Sequence, residues 1–256
     1  MIDRRELLAK ARGRKLNLNI VEKDYVLGWL LFGFSQINSL VFKGGTALSK
    51  IYFPEIWRLS EDLDFSLLDD DFELISESIE EMFKQVERKS GIQFVLKSIF
   101  SNPDYMQLKI RYKGVISRNW IKTDFMKNDI VDKPLKKSVA KEYSDYRDFS
   151  IKVESLEEIF CSKFRTTIER KKCRDFFDLW KLTKLSVDIK KAKKILDKKL
   201  EIKGINFNSF KQIFTADLKE TLLPYWEREL GRLVNPLPDL EIVLRELKSF
   251  IKAQFN

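Results

Sequence analysis

The 256-residue sequence predicts an α+β fold, in which strands and helices share the first half and helices make up the second. Candidate strands lie among helical patterns in the first half, whereas mainly helical patterns follow residue 155. A hydrophobic content of 44% with 34% charged residues is typical of a globular protein that buries a full core. The polar stretch at 128–150 separates the two patterns, so we expect one domain at 1–150 and a helical domain at 151–256.

The first half predicts a buried helix, a short strand, a second helix and a strand that carries two carboxylates. The apolar residues of NIVEKDYVLGWLLFGFSQI (19–37) indicate the buried helix, and SLVFKGG (39–45) is a strand ended by glycines. TALSKIYF (46–53) begins the next helix, with Thr46 near its N-terminus. RLSEDLDFSLL (58–68) alternates as a strand does.

A long helix and three further strands complete this half, and helices follow. The helix is expected at 71–89, and the strands are IQFVLKSIF, YMQLKIRYKG and WIKTDFMK, within 92–127. Ser155 opens the next helix with Glu158 three residues later, which is the spacing of a capping box. Further helical patterns lie at 174–185, 187–200, 207–230 and 240–255.

The composition excludes several classes of function. The chain has no histidine, so Ser-His and Cys-His nucleophilic pairs, histidine bases and histidine zinc sites are excluded. Cys161 and Cys173 stand twelve residues apart without metal-type spacing, and we expect buried or free thiols. The longest apolar run (26–34) is about half of a bilayer span, and the N-terminus lacks the apolar core of a signal peptide. A cytoplasmic protein without a membrane partner is therefore expected.

Residues 41–68 hold the most informative pattern of the chain. In a strand, residues i and i+2 share a face, so Asp62 and Asp64 point the same way. Neighbouring carboxylates repel each other unless a positive group lies between them, and Mg²⁺ accepts such oxygen ligands. The Gly-Gly-Thr turn ahead of them lets backbone amides approach a phosphate. Together these features predict a site for a triphosphate and a metal ion.

The positive charge of the chain lies in its helical half. Residues 163–203 hold fifteen Lys or Arg against six Asp or Glu, so their net charge equals the +9 of the whole chain. Such a surplus indicates a surface that binds a polyanion such as RNA. A lysine-rich solvated surface is the alternative.

The glycine turn and the paired carboxylates also resemble a known family. FKGGTALSKIY followed by RLSEDLDFSL strongly resembles the AbiEii/AbiGii toxin family of nucleotidyltransferases, members of the polymerase-β-like superfamily and of type IV toxin–antitoxin systems. The likeness extends to VEKDYVLGWLL (21–31) and CSKFRTTIERKKCRDFFDLWKL (161–182), and it is weak after residue 185. It implies a polymerase-β-like core, a mixed sheet flanked by helices, with an NTP substrate and Mg²⁺ or Mn²⁺ as the cofactor.

The resemblance gives the glycine turn a role in binding the nucleotide. Gly44, Gly45 and Thr46 match the turn that grips the phosphates, and Lys43 and Lys50 are further candidates for the triphosphate. The superfamily turn is usually Gly-Ser, whereas here Thr46 follows two glycines, as this branch generally has it.

The resemblance also implies a set of catalytic residues. Asp62 and Asp64 match the metal-binding pair. Lys163 and Asp178 match a Lys and an Asp that complete the site in related toxins; a surface lysine is the alternative for Lys163. Many polymerase-β-like enzymes carry a third carboxylate on a later strand, and Asp124 is our candidate, with a role in the fold alone as the alternative.

These residues imply the transfer of an NMP unit from an NTP to an acceptor hydroxyl, with pyrophosphate leaving. The expected acceptor is RNA, notably the 3′ end of tRNA, bound by the basic helical half, and a cognate antitoxin is a possible partner. Asp175 is expected to pair with an arginine such as Arg170. Two alternatives stay open: a nucleotidyltransferase that modifies protein hydroxyls, and a non-catalytic nucleotide-, RNA- or partner-binding module. The second would be expected to lose one of the paired carboxylates, and this chain keeps both.

Overall fold

The chain forms two compact units. The computed structural model describes residues 1–54, 56–69, 71–127 and 129–255. The first unit comprises Met1–Ile130 and Pro134–Glu154, and the second comprises Val131–Lys133 and Ser155–Asn256. The polar stretch in which the sequence places a boundary therefore lies mostly in the first unit, and the chain passes to the helical unit after Glu154.

The first unit contains the predicted helices and strands in the predicted order, together with three elements that the sequence pattern does not indicate: α1, β6 and β7. Its elements are α1 (Arg4–Arg14), α2 (Leu18–Phe34), β1 (Leu40–Lys43), α3 (Gly44–Ala47), β2 (Leu63–Leu67), α4 (Glu73–Ser90), β3 (Gln93–Ser101), β4 (Tyr105–Lys113), β5 (Arg118–Met126), β6 (Leu135–Ser138) and β7 (Ser150–Val153). A π-helical turn, Leu48–Tyr52, continues α3.

The strands of the described residues form one mixed sheet. Their order across the sheet is β3-β4-β5-β2-β1-β7-β6. β2 runs parallel to β5 and β1 runs parallel to β7, whereas the other neighbours are antiparallel. The α+β prediction with a mixed sheet is confirmed. The parallel pairing of β2 with β5 brings two strands that are distant in the sequence side by side at the centre of the sheet.

Helix α2 is the buried helix that the apolar pattern predicts. It contacts α1 and α4, and every residue from Val21 to Phe34 is buried. The buried carboxylate of Glu22 accepts hydrogen bonds from the backbone amides of Ile116 at 2.6 Å and Ser117 at 3.3 Å. Because these amides belong to the turn between β4 and β5, Glu22 fixes that hairpin to the helix.

The second unit is helical, as predicted. Its helices are α5 (Leu156–Glu169), α6 (Cys173–Leu182), α7 (Ile189–Ile202), α8 (Leu218–Leu230) and α9 (Leu240–Phe255). Ser155 caps α5 by accepting a hydrogen bond from the Glu158 amide at 3.3 Å. The Glu158 carboxylate does not return the bond of a capping box; it accepts one from the Val131 amide at 2.7 Å and pairs with Lys199 at 3.1 Å.

Two further predictions concern thiols and membranes. Cys161 and Cys173 are both buried free thiols, and burial raises the pKa of Cys173 to about 11. Within the described residues, no helix is both long enough and apolar enough to span a bilayer.

Candidate active site

The turn after β1 is shaped by a glycine that no other residue can replace without strain. Gly44 has a φ of +77°, in the left-handed region that side chains disfavour. A Cβ atom at this position would lie 2.4 Å from Oδ2 of Asp64, so the carboxylate lies directly over the glycine backbone. The turn and the second aspartate of the Asp-Leu-Asp motif therefore fit together as one unit.

A hydrogen bond joins the same turn to the first aspartate of the motif. Thr46 is fully buried, and its Oγ1 donates to the backbone carbonyl of Asp62 at 2.5 Å. The threonine hydroxyl is thus used to hold the turn against the start of β2. Its contribution to a phosphate site would come from its backbone amide.

Two aspartates lie side by side on the central strands, and a third lies just before one of these strands. Asp64 of β2 is the direct neighbour of Asp124 of β5 in the parallel register, and Lys43 of β1 is its neighbour on the other side. Asp62 lies two residues before Asp64, just ahead of β2, and Thr46 binds its backbone carbonyl. All three aspartates are partly exposed. The structure thus brings Asp64 and Asp124 side by side and places the backbone of Asp62 next to the glycine turn.

Asp124 is oriented by two side chains that the sequence reasoning missed. Tyr105 OH and Gln107 Nε2 both donate to its Oδ1, each at 2.8 Å. Burial raises the pKa of Tyr105, and hydrogen bonding to Asp124 and the charges of Asp124 and Asp64 raise it further. Tyr105 and Gln107 alternate along β4 on the face that Asp124 shares, and this alternation was the available signal.

The candidate site offers carboxylates but no complete set of protein ligands for a metal ion among the described residues. No group of three or more His, Cys, Asp or Glu side chains in the described ranges is placed to hold a metal ion by itself. The Asp62 and Asp64 carboxylates are nevertheless hard oxygen donors two residues apart in the sequence, which suits Mg²⁺ or Mn²⁺. Since Mg²⁺ commonly takes one or two protein carboxylates together with water and substrate phosphates, this donor set fits such an ion.

The structure places the two candidate lysines of this region in ion pairs. Lys43 Nζ donates to Asp129 at 2.6 Å, and both side chains are buried. Lys50 is fully buried and binds Asp24 at 2.7 Å and Glu142 at 2.8 Å. Burial alone lowers the pKa of Lys50, but the two carboxylates outweigh it and raise the pKa. This setting differs from the phosphate contact that we expected of Lys50, because its ammonium group already has two buried anionic partners.

In the second unit, Lys163 and Asp178 form an ion pair. Lys163 Nζ lies 2.9 Å from Asp178 Oδ2 and 3.1 Å from Asp175 Oδ1, and the lysine side chain is largely buried. Arg170 Nε donates to the other oxygen of Asp175 at 2.9 Å, which confirms the predicted Asp175–Arg170 ion pair. The pairing holds the Lys163 ammonium between two helices, α5 and α6.

Comparison with known proteins decides the family. A sequence model of "Nucleotidyl transferase AbiEii toxin, Type IV TA system" matches residues 29–252, most of the chain. The chain belongs to the AbiEii family. This AbiEii protein is therefore an NTP-using nucleotidyltransferase and the toxin component of a type IV toxin–antitoxin system, whose partner is a cognate antitoxin. A comparison with curated protein sequences gave no match.

Solved structures share the fold of the AbiEii protein. The nucleotidyltransferase toxin MenT4 from Mycobacterium tuberculosis aligns with a TM-score of 0.73 at 18% identity, over 97% of this chain and 88% of that one. JHP933 from Helicobacter pylori aligns with a TM-score of 0.60 at 19% identity, over 93% of this chain and 92% of that one. At these identities, the likeness establishes the fold.

Proposed function

We propose that this AbiEii protein transfers an NMP unit from an NTP to a hydroxyl of RNA, in particular at the 3′ end of tRNA. The observation that carries the proposal is the register of the central strands, which sets Asp64 beside Asp124 while the glycine turn packs on Asp64. Nucleotidyl transfer needs a phosphate grip, anionic metal ligands and a proton acceptor for the attacking hydroxyl. These features supply all three within one unit of the chain.

The glycine turn binds the triphosphate in this proposal. Gly44 has no side chain, so the backbone amides of Gly45 and Thr46 can approach the β and γ phosphates closely. The hydrogen bond from Thr46 to Asp62 holds these amides at a fixed distance from the motif. Because Lys43 and Lys50 are already bound by buried carboxylates, we give them structural roles.

Asp62 and Asp64 would hold the divalent ion, Mg²⁺ or Mn²⁺. When bound, such an ion neutralises the charge of the triphosphate and polarises its α-phosphate.

Asp124 accepts the proton of the acceptor hydroxyl. Tyr105 and Gln107 both bind Oδ1 of Asp124, so among the described contacts Oδ2 is the oxygen left to take the proton. The hydroxyl oxygen then forms a bond to the α-phosphorus, the bond to the bridging oxygen breaks, and pyrophosphate leaves. Asp124 is a catalytic residue in this proposal, and Tyr105 and Gln107 are positioning residues.

Lys163 and Asp178 are further catalytic residues in this proposal, as the family resemblance implies. Within the second unit, Lys163 is largely buried and is held by Asp175 and Asp178, so the position of its ammonium group is fixed. We place the reaction in the cytoplasm, where NTPs and tRNA are present.

The proposed function is tested by supplying each labelled NTP in turn to the protein with total RNA, with and without Mg²⁺. We expect label in RNA of tRNA size for one or more of the NTPs, and only with the ion. Label in protein instead of RNA would favour the protein-modifying alternative. The absence of any transfer with every NTP would contradict the proposed reaction.

A further inference from the structure

One face of the outer strands β3, β4 and β5 carries positive and aromatic side chains. Cross-strand neighbours share a face of a sheet, so the pairing register defines its members. We call it the open sheet face; it consists of Val95, Ser98, Phe100, Tyr105, Gln107, Lys109, Arg111, Lys113, Arg118, Trp120, Lys122 and Asp124.

Burial separates this face from the core. The alternating residues of β4, from Met106 to Tyr112, are buried on the opposite side of the sheet. On the open sheet face, Val95 is 61% exposed and Phe100 is 60% exposed. Isolated apolar residues are common on protein surfaces. These two, however, lie among cationic side chains, on the same sheet face as Asp124 of the candidate active site.

Three lysine side chains gather around one tryptophan of this face. The ammonium groups of Lys109, Lys23 and Lys122 lie 4.3, 5.4 and 5.8 Å from the centre of the Trp120 ring. The π face of the ring attracts each cation, yet the cations repel one another. Glu61 offsets part of this charge, since it lies 3.8 Å from Lys23. The cluster is suited to a phosphate group, which would relieve the remaining repulsion.

The register links the lysine cluster to the candidate active site. Asp124 lies four residues after Trp120 along β5, which is about 13 Å in a strand. Phe100, Gln107, Asp124 and Asp64 occupy one row across four neighbouring strands. Phe100 therefore lies two strand spacings, or about 10 Å, from Asp124. An exposed aromatic ring at that distance can stack on a base whose sugar hydroxyl reaches Asp124.

The charge on this face differs from that of the helical half. Lys109, Arg111, Lys113, Arg118 and Lys122 form no ion pair with a carboxylate in the part of the chain that the structure describes. Asp124, at the end next to the active site, is the acidic member of the face.

Many of the cations in residues 163–203 are already paired with carboxylates. Those with such partners are Lys163, Arg165, Arg170, Lys171, Lys184, Lys191 and Lys199. Lys199 is also buried. The surplus charge in the sequence therefore overstates the positive surface of the helical half.

We propose that the open sheet face binds the single-stranded 3′ segment of the RNA acceptor. The cluster of Lys109, Lys122 and Trp120 binds backbone phosphates, Phe100 stacks on a base near the end, and the terminal hydroxyl reaches Asp124. Sheet surfaces on which cationic side chains lie between exposed aromatic rings are typical of proteins that bind single-stranded nucleic acid. The inference rests on the proposed function, and it moves the acceptor surface from the helical half to the sheet.

The test compares two charge reversals of equal size. One variant carries Lys109→Glu and Lys122→Glu on the open sheet face, and the control carries Lys190→Glu and Lys194→Glu, two exposed residues of α7. The probe is a short single-stranded RNA with a free 3′ hydroxyl, and its affinity is measured at several salt concentrations. NTP affinity, measured by calorimetry, and the unfolding temperature are followed in each variant.

We expect the sheet variant to bind the RNA at least about tenfold more weakly at low salt, since two phosphate contacts are lost. The slope of log K against log salt should fall by about 1.4, at about 0.7 for each contact with a single strand. The control should bind as the wild type does, and NTP affinity should be unchanged in both. If the glutamate variant does not fold, Lys109→Ala with Lys122→Ala takes its place.

A third variant separates stacking from charge. Phe100→Ala should weaken RNA binding about tenfold or more without changing the salt slope, because the ring carries no charge. If the wild type modifies RNA and both sheet variants bind and modify it equally well, the inference is wrong while the proposed function stands. If the wild type neither binds nor modifies RNA and labels protein instead, both are wrong.

Discussion

The contact between Gly44 and Asp64 is the most specific feature of the site at the scale of single residues. The sequence predicts that the glycine turn and the two aspartates belong to one site. The turn follows one predicted strand, the aspartates lie in the next predicted strand, and the two motifs are close in the sequence. It cannot predict that the Asp64 carboxylate lies over Gly44, since this depends on the antiparallel pairing of β1 with β2. The same limit explains why Tyr105 and Gln107 were missed as partners of Asp124.

Replacing Gly44 by alanine tests this contact. We expect Gly44→Ala to destabilise the fold by about 1–3 kcal/mol, because of the left-handed φ and the clash with Asp64, and to lower nucleotidyl transfer strongly. Gly204→Ala is the matched control, since Gly204 has a φ of +64° but open space around its Cβ position. Urea unfolding and a transfer assay give the two readings. If Gly44→Ala and Gly204→Ala changed the free energy of unfolding and the transfer activity equally, the clash with Asp64 would be unimportant.

The turn that continues β1 is held in place by a buried ion cluster at the scale of elements. Lys50 in the π-helical turn joins Asp24 of α2 to Glu142, so one ammonium group connects segments that are far apart in the sequence. A sequence pattern shows Lys50 close to the glycine turn and therefore favours a phosphate contact. Its partners, 26 and 92 residues away, become visible only in the fold.

Replacing Lys50 by methionine tests the structural role. We expect Lys50→Met to lower the free energy of unfolding by about 3–5 kcal/mol, because the buried Asp24 carboxylate loses its counter-charge and Glu142 keeps only its pair with Arg14. The exposed pair of Lys141 with Asp148 gives the control, and Lys141→Met should change stability by less than about 0.5 kcal/mol. If Lys50→Met kept the stability of the wild type but lost NTP affinity, Lys50 would instead contact the nucleotide.

Elements with a strong apolar period were predicted, and weakly patterned ones were not. β2 and α4 were visible because burial of one face imposes a period of 2 or 3.6, and α2 was visible because burial on all sides gives a long apolar segment. β6 was missed because most of its residues are exposed, and it pairs only with β7. A short edge strand is held by backbone hydrogen bonds, which leave little trace in the side-chain pattern.

Five tyrosines with raised pKa values are expected to limit the stability of the protein at alkaline pH. Burial raises the pKa of five tyrosines, and nearby negative charge raises it further in each case: Tyr25, Tyr105, Tyr112, Tyr143 and Tyr146. In the unfolded chain these groups lose their protons near pH 10, whereas the folded protein retains them to higher pH. The unfolded state then binds fewer protons, so the free energy of unfolding must fall as pH rises.

We therefore expect the contribution of these tyrosines to the free energy of unfolding to stay constant from about pH 7 to 9. Above about pH 10, this contribution should fall steeply. Each tyrosine contributes up to about 1.4 kcal/mol per pH unit. The raised pKa of Lys50 acts in the same direction. Urea unfolding at a series of pH values gives the slope, and Tyr143→Phe should reduce it. A slope that stays near zero up to pH 11 would contradict the burial of these hydroxyl groups.

In the whole molecule, we expect Asp64 and Asp124, which lie side by side next to the glycine turn, to carry out nucleotidyl transfer. The most direct measurement is the transfer of labelled NMP to RNA by Asp64→Asn, with Asp69→Asn, an exposed aspartate just after β2, as the control. Removing a metal-binding charge takes away several kcal/mol of transition-state stabilisation, so we expect a loss of about a hundredfold or more. The unfolding temperature should be equal to or above that of the wild type, because a repulsion between carboxylates is relieved. Transfer by Asp64→Asn at the wild-type rate would show that Asp64 takes no part in nucleotidyl transfer.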